Sequence, residues 1–302
     1  MGWRKLGQIF SPCSSHPKLA SHAANPLAVP LEGDVYRIYY SGRDRANRSS
    51  VGYVDIDVVR RQVIYAHDAP VFEHGPEGSF YADGVSIGNC YAVGGTVYML
   101  FMGWQTPAVG HWRGDIGRLI VGEGGALRLD GTQPFMGAND IDPVSLSYPW
   151  VMAADGLFQM WYGSTVSWEA GNGEMLHVLH YATSDDGHRW TRHGGAVPYQ
   201  LGVAQAFSRP TVLRGPGGYE MWFSYRGGNG QKYRIGYATS ETGETWRLRI
   251  SDCGIDVSET GWDCEMIEYP FVFEHKGQRY MLYNGNSHGK TGFGLAVWGA
   301  VS

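Results

Sequence analysis

The chain has 302 residues, 43% of them hydrophobic and only 18% charged, which excludes a disordered chain and argues against long solvated helices or a coiled coil. A formal charge of −5 excludes the basic surface that a nucleic-acid binder needs. No apolar run approaches the roughly 20 residues of a membrane helix, and Trp3-Arg4-Lys5-Leu6-Gly7 is no signal-peptide core, so a soluble, cytoplasmic protein is expected.

In chain order, Trp3–Leu6 comes first, a short strand-like piece whose partner is not local. Then an apolar strand, Pro26–Val29, is followed by a turn at Glu32-Gly33-Asp34, an aromatic strand at Tyr36–Ser41 and a third strand at Val51–Val54. The same order returns four times. Gly84–Ile87, Tyr98–Gly103 and Ile116–Leu119 make the second set, and Pro149–Met152, Phe158–Gly163 and Leu179–Ala182 the third. Pro210–Leu213, Tyr219–Ser224 and Ile235–Ala238 follow, then Pro270–Phe273, Tyr280–Gly285 and Phe293–Ala296. Aligned on Tyr39, Leu100, Trp161, Trp222 and Leu282, the aromatic strands recur at spacings of 61, 61, 61 and 60 residues. Such a period marks a repeat architecture.

Ser184–Trp190 and Ser240–Trp246 are matching turns into a fourth strand. The pattern predicts an all-β fold: one five-bladed β-propeller over residues 1–302, with four antiparallel strands per blade. The last repeat lacks its fourth strand. Trp3-Arg4-Lys5-Leu6 resembles the fourth-strand starts at Trp190 and Trp246, so the N-terminal strand is expected to complete the last blade and pair its edge. Cys13, Cys90, Cys253 and Cys264 form no CxxC pair and read as free thiols.

In such a fold the first strands line a central channel, and the loops between second and third strands crowd one mouth. Residues at the first-strand starts are Asn25, Asp83, Tyr148, Arg209 and Tyr269 in one parity. The other parity gives Ala24, Ala82, Ser147, Ser208 and Glu268, where Glu268 is the one large residue among small ones. The mouth loops add Arg43, Asp44, Trp104, Asp115, Trp168, Arg226, Asn284, Asn286 and His288, with His22 beside them. Trp104, Trp112 and Trp168 lie off the repeat, whereas Trp161, Trp190, Trp222 and Trp246 sit at equivalent positions and are expected in the core. Tryptophan faces stack on sugar rings, and carboxylates, amides and arginines hydrogen-bond their hydroxyls.

Through Ser21–Pro26, Ser41–Asp44, Ser79–Val85 and Trp262–Pro270, the chain resembles the propeller superfamily of arabinanases, β-xylosidases, invertases and levansucrases. The resemblance implies a glycoside hydrolase with a carboxylate pair at the channel mouth. Its usual blade-one Asp is Asn25 here, and an amide cannot act as a base. Asp83 and Glu268 are then the first candidates to replace the pair, with Asp44, Asp142 and Glu265 behind them. Arg43, Arg209 and Arg226 converge from three blades, which suggests an anionic sugar or glycoconjugate. A glycosyl-transferring or phosphorolytic enzyme and a non-catalytic sugar-binding propeller are the alternatives. No metal-binding motif occurs and no cofactor is expected, with a single channel Ca²⁺ or Na⁺ as the alternative.

Overall fold

The computed structural model describes residues 2–14, 16–228 and 230–300. Strand β1 (Gly2–Phe10) is followed by β2 (Ser21–Pro30), β3 (Val35–Arg43), β4 (Ser49–Asp57) and β5 (Gln62–Ala66). A second group comprises β6 (Gly84–Val93), β7 (Thr96–Gln105), β8 (Arg113–Val121) and β9 (Leu127–Leu129). A third comprises β10 (Ser145–Ala154), β11 (Leu157–Ser167), β12 (Leu176–Ser184) and β13 (Thr191–Gly195). Then come β14 (Ala206–Gly215), β15 (Gly218–Arg226), β16 (Arg234–Ser240) and β17 (Arg247–Leu248), and finally β18 (Glu268–His275), β19 (Gln278–Asn284) and β20 (Phe293–Gly299). No helix is long and apolar enough to cross a membrane. The four cysteines are unpaired.

Within each group neighbouring strands pair antiparallel, from the inside outwards. The first hairpin often closes through two left-handed residues, as at Gly94-Gly95, Asp155-Gly156 and Lys276-Gly277, which suits the twist of the flanking strands. Turns after the third strands use a serine: Ser184 Oγ accepts the N–H of Gly187 and Ser240 Oγ that of Gly243, both at 2.8 Å. The last group borrows its outer strand. β1 pairs with β20 from Gly2↔Gly299 to Phe10↔Phe293, so Trp3 reaches the position that Trp190 and Trp246 hold elsewhere.

The inner strands β2, β6, β10, β14 and β18 each pack on two others in a closed circle. Between groups lie the large buried side chains, among them Tyr39, Trp161 and Trp222. Every inner strand carries a bulge near its start, where two residues are skipped in the pairing: 25–26, 88–89, 148–149, 209–210 and 269–270. Asn25, Tyr148, Arg209 and Tyr269 adopt left-handed φ angles of 37° to 55°, each immediately before a proline. Such backbone costs on the order of 1–3 kcal/mol per residue and tends to occur where a side chain must be aimed.

In the second group the bulge falls at Gly88-Asn89, not at Asp83-Gly84, which the sequence aligned with Asn25-Pro26. Ser86, not Ala82, therefore stands level with Ala24, Ser147, Ser208 and Glu268. Asp83 lies outside the bulge that aims Asn25, Tyr148, Arg209 and Tyr269.

Candidate active site

One cavity of about 320 Å³ opens where the inner strands begin. Its wall carries Ser86, Ser147 and Ser208 from the inner strands, Tyr148 and Tyr269 from the bulges, Arg43, Trp104 and Arg226 from the ends of β3, β7 and β15, and Trp112, Tyr233 and His288 from the loops. Beneath it the axis is filled. Arg209 is wholly buried and donates to the carbonyls of Pro26 (2.9 Å), Tyr269 (3.2 Å), Ile87 and Gly88 (both 3.3 Å). It thereby ties β14 to β2, β6 and β18, and burial lowers its pKa to about 9. Trp150 and Phe271 pack further along the same inner strands.

Glu268 lies beneath His288 and is fully buried. His288 Nδ1 sits 3.0 Å from Oε1 and 3.2 Å from Oε2, but the hydrogen-bond angles suit Oε2, which leaves Oε1 without a partner. Burial raises the Glu268 pKa, and the nearby His288, Arg226 and Arg43 oppose that rise. The carboxyl is thus biased toward its protonated form inside a polar cup. His288 and its neighbour Ser287 both hold left-handed backbone, at φ 57° and 59°, so the loop spends strain to bring this imidazole over the carboxyl.

The cations at the mouth differ in what they face. Arg226 is committed to Glu174, Nε to Oε2 at 2.8 Å, and stacks on Tyr233. Arg43 donates to Asn47 at 2.8 Å and makes no ion pair among the described residues. His22, also on left-handed backbone, has its pKa lowered to about 4 by burial, with Arg43, His288 and Lys290 adding to the effect. That side of the mouth carries the cations Arg43 and Lys290 around a neutral imidazole.

The other side is aromatic. Trp112 meets Trp168 edge-on at 4.8 Å, and His111 stacks on Trp168 at the same distance. Trp104 lies against Gly84, where a Cβ would come within 2.3 Å of the indole nitrogen, and donates to Ser49 Oγ at 3.1 Å.

Of the residues singled out from sequence, the cavity brings together Arg43, Trp104, Tyr148, Arg226, Tyr269 and His288. Glu268 lies behind His288, and Trp168 stands behind Trp112. Others do different work. Asp83 accepts the backbone N–H of Thr106 at 2.5 Å, pinning the loop that carries Trp104. Asp44 is turned away, paired with Arg48 and accepting its backbone N–H. Asp142 is enclosed by Tyr162, His180 and Arg192, each at 2.8 Å. Glu265 is exposed, and its N–H is held by Asn286. Asn284 is buried against the backbone of Ala23, Asn25 and Gly292. Asp115 is buried 3.3 Å from Arg113. Asn25 is buried, and its side-chain nitrogen has no partner among the described residues.

The sequence did not single out Ser147, His177, Ser208, Tyr233 or Glu174 as site residues. Ser147 Oγ lies 2.7 Å from His177 Nε2, whose Nδ1 lies 2.7 Å from Thr165 Oγ1; burial lowers the His177 pKa to about 3. Ser147 and Ser208 were visible as the small residues level with Glu268; Glu174 carried no local signal. No group of three or more His, Cys, Asp or Glu able to hold a metal ion occurs among the described residues.

No protein-family profile matches the chain. Along its whole length it is similar to the uncharacterized protein Rv1502 of Mycobacterium tuberculosis, 44% identical over 299 residues, which is 98% of this chain and 99% of that one. Among solved structures it is similar to a glycosyl hydrolase from Bacteroides ovatus (TM-score 0.74, 13% identity, covering 98% of this chain and 93% of that one). It is also similar to a structure described under the GH130 family of mannoside phosphorylases containing glycoside hydrolases for β-1,2-mannosidic linkages (TM-score 0.72, 13% identity, 98% and 93% covered). At these identities the likeness is one of fold, an all-β propeller.

Proposed function

Since the chain belongs to the same family as Rv1502 of M. tuberculosis, on a propeller shared with glycoside hydrolases, we propose that it is a carbohydrate-active enzyme that cleaves a glycosidic bond in this cavity. The propeller is read as five-bladed and as one domain over residues 1–302, with β1 completing the last blade; the 61-residue period and the circle of inner strands support this reading. The observation that carries the activity is Glu268: a buried carboxyl, biased toward protonation, with one unpartnered oxygen under a pocket-lining histidine.

In this reading Glu268 is the general acid. Its proton passes to the glycosidic oxygen as the C–O bond breaks, and a water adds its hydroxyl to the anomeric carbon while its other proton goes to the second carboxylate. Glu174, next to the pocket-lining Met175 and ion-paired with Arg226, is the second carboxylate. Ser86, Ser147 and Ser208 meet sugar hydroxyls. The cationic side formed by Arg43 and Lys290 favours a substrate bearing a carboxylate or phosphate.

A second reading has its own support. Glu174 is engaged by Arg226, which leaves Glu268, beneath His288, as the one carboxyl at the site outside an arginine pair. Inorganic phosphate could then replace water as the attacking group, giving a sugar 1-phosphate. Incubating the protein with a panel of neutral and uronic-acid glycosides, with and without phosphate, tests both. Free sugar without phosphate supports hydrolysis, and sugar 1-phosphate only with phosphate supports phosphorolysis. No product in either arm overturns the enzymatic reading and leaves a binding protein.

A further inference from the structure

Two features of the cavity bear on how a chain of sugars would enter it. First, the floor is closed. Arg209 joins the carbonyls of three other inner strands, and Trp150 and Phe271 fill the axis, so nothing threads through. The cavity, about 320 Å³, is at the lower end of the roughly 300–1,000 Å³ usual for small-molecule sites. Second, the rim is lopsided. The connections after β7 and β11 bring three rings together, with His111 stacked on Trp168 and Trp112 edge-on to it, and only Trp112 of the three lines the cavity itself. The other two continue the aromatic cluster beyond the cavity lining. Trp112 and Trp168 are each partly exposed, and indole rings of this kind favour a second flat, apolar ring face.

Resting on the glycosidic reading above, we propose that the site takes its substrate end-on: one terminal, non-reducing sugar unit fills the blind cavity, and the next ring lies on the Trp112–Trp168–His111 platform as the leaving side. An internal stretch of polysaccharide would need an open groove on both sides of Glu268, and the closed floor and one-sided platform supply only one exit.

The test uses methyl and p-nitrophenyl glycosides and tetrasaccharides in gluco, manno and glucurono configurations, the tetrasaccharides uncapped or blocked by a bulky acetal on the non-reducing unit. Binding is measured by titration calorimetry and products by a reducing-end label. The proposal expects the p-nitrophenyl glycoside to bind about tenfold more tightly than the methyl glycoside of the same sugar. Trp168→Ala should erase that difference at unchanged melting temperature, and Trp168→Phe should keep most of it. The blocked tetrasaccharide should not bind, and any turnover should shorten the labelled chain one unit at a time. Equal binding of blocked and unblocked chains, early internal cuts, a Trp168→Ala loss that is the same for both glycosides, or no binding of any probe would overturn it. End-on binding without turnover would instead overturn the enzymatic reading and leave this inference standing.

Discussion

Two carboxylates of this molecule are completely buried in the same kind of surroundings, and they have opposite fates. Asp142 accepts from Tyr162, His180 and Arg192. Burial alone would raise its pKa, but these partners, His180 foremost, hold it down at about 2. Glu268 has a single side-chain partner, a half-exposed histidine whose Nδ1 lies 3.0 Å from Oε1 and 3.2 Å from Oε2. Burial is common to both. What differs is saturation: a carboxylate with every lone pair engaged is a strut, and one left short is available to a ligand. The strut is even repeated. Asp263 lies six residues before Tyr269 as Asp142 lies six before Tyr148, and it accepts from Tyr283 at 3.0 Å and Lys5 at 2.8 Å.

The contrast can be broken by experiment. Glu268→Gln should lower kcat/KM by about 10³-fold, within the range typical of a lost general acid, with the melting temperature unchanged or raised. A variant that keeps its rate but melts early would make Glu268 a strut as well. Asp142→Asn should do the reverse, costing about 3 kcal/mol in denaturant unfolding, because it strands the buried charge of Arg192; activity per folded molecule should hold.

Acid separates the two next. Asp142 has a folded pKa of about 2, below its unfolded value, so its contribution is present above the unfolded pKa and is lost as pH falls through about 2. His177, neutral when folded with a pKa of about 3, costs stability earlier, as pH falls from about 6.5 toward 3. Glu268 runs the other way. Its raised pKa favours the protonated folded form, so activity should fall as pH rises through that value, and a rate that climbs on the alkaline side would contradict its role as acid. The smallest effect is expected at the repeated strut: Lys5→Met should cost about 1 kcal/mol, since Lys5 is partly exposed, read as a shift in denaturation midpoint.

The repeat was legible because aromatic strands at a fixed spacing leave a mark that needs no long-range information. Trp3 gave away β1 because it matches Trp190, and Lys5 then falls on the equivalent of Arg192, its counterpart in the strut. The second group misled the reading for a local reason. The other inner strands mark their bulge with a proline after residues 25, 148, 209 and 269, while the second has Gly88-Asn89, so Asp83 looked like the aligned residue. The arginines show a deeper limit. Arg43, Arg209 and Arg226 look alike in sequence, yet Arg209 is tied to carbonyls up to 183 residues away and Arg226 to a carboxylate 52 residues away. Which cation remains for a ligand depends on partners that no local pattern names.

The pairing of β1 with β20 also sets the order in which this protein can come into being. β1 leaves the ribosome before any other strand of the fold, but its partner starts only at Phe293. At about 5–20 residues per second, Trp3 and its neighbours wait tens of seconds as an apolar edge with nothing to pair with, while the earlier strand groups can already form. The final closure therefore joins the first and the last strands of the fold, and a chain truncated anywhere before β20 carries an unpaired strand that invites a second copy to dock.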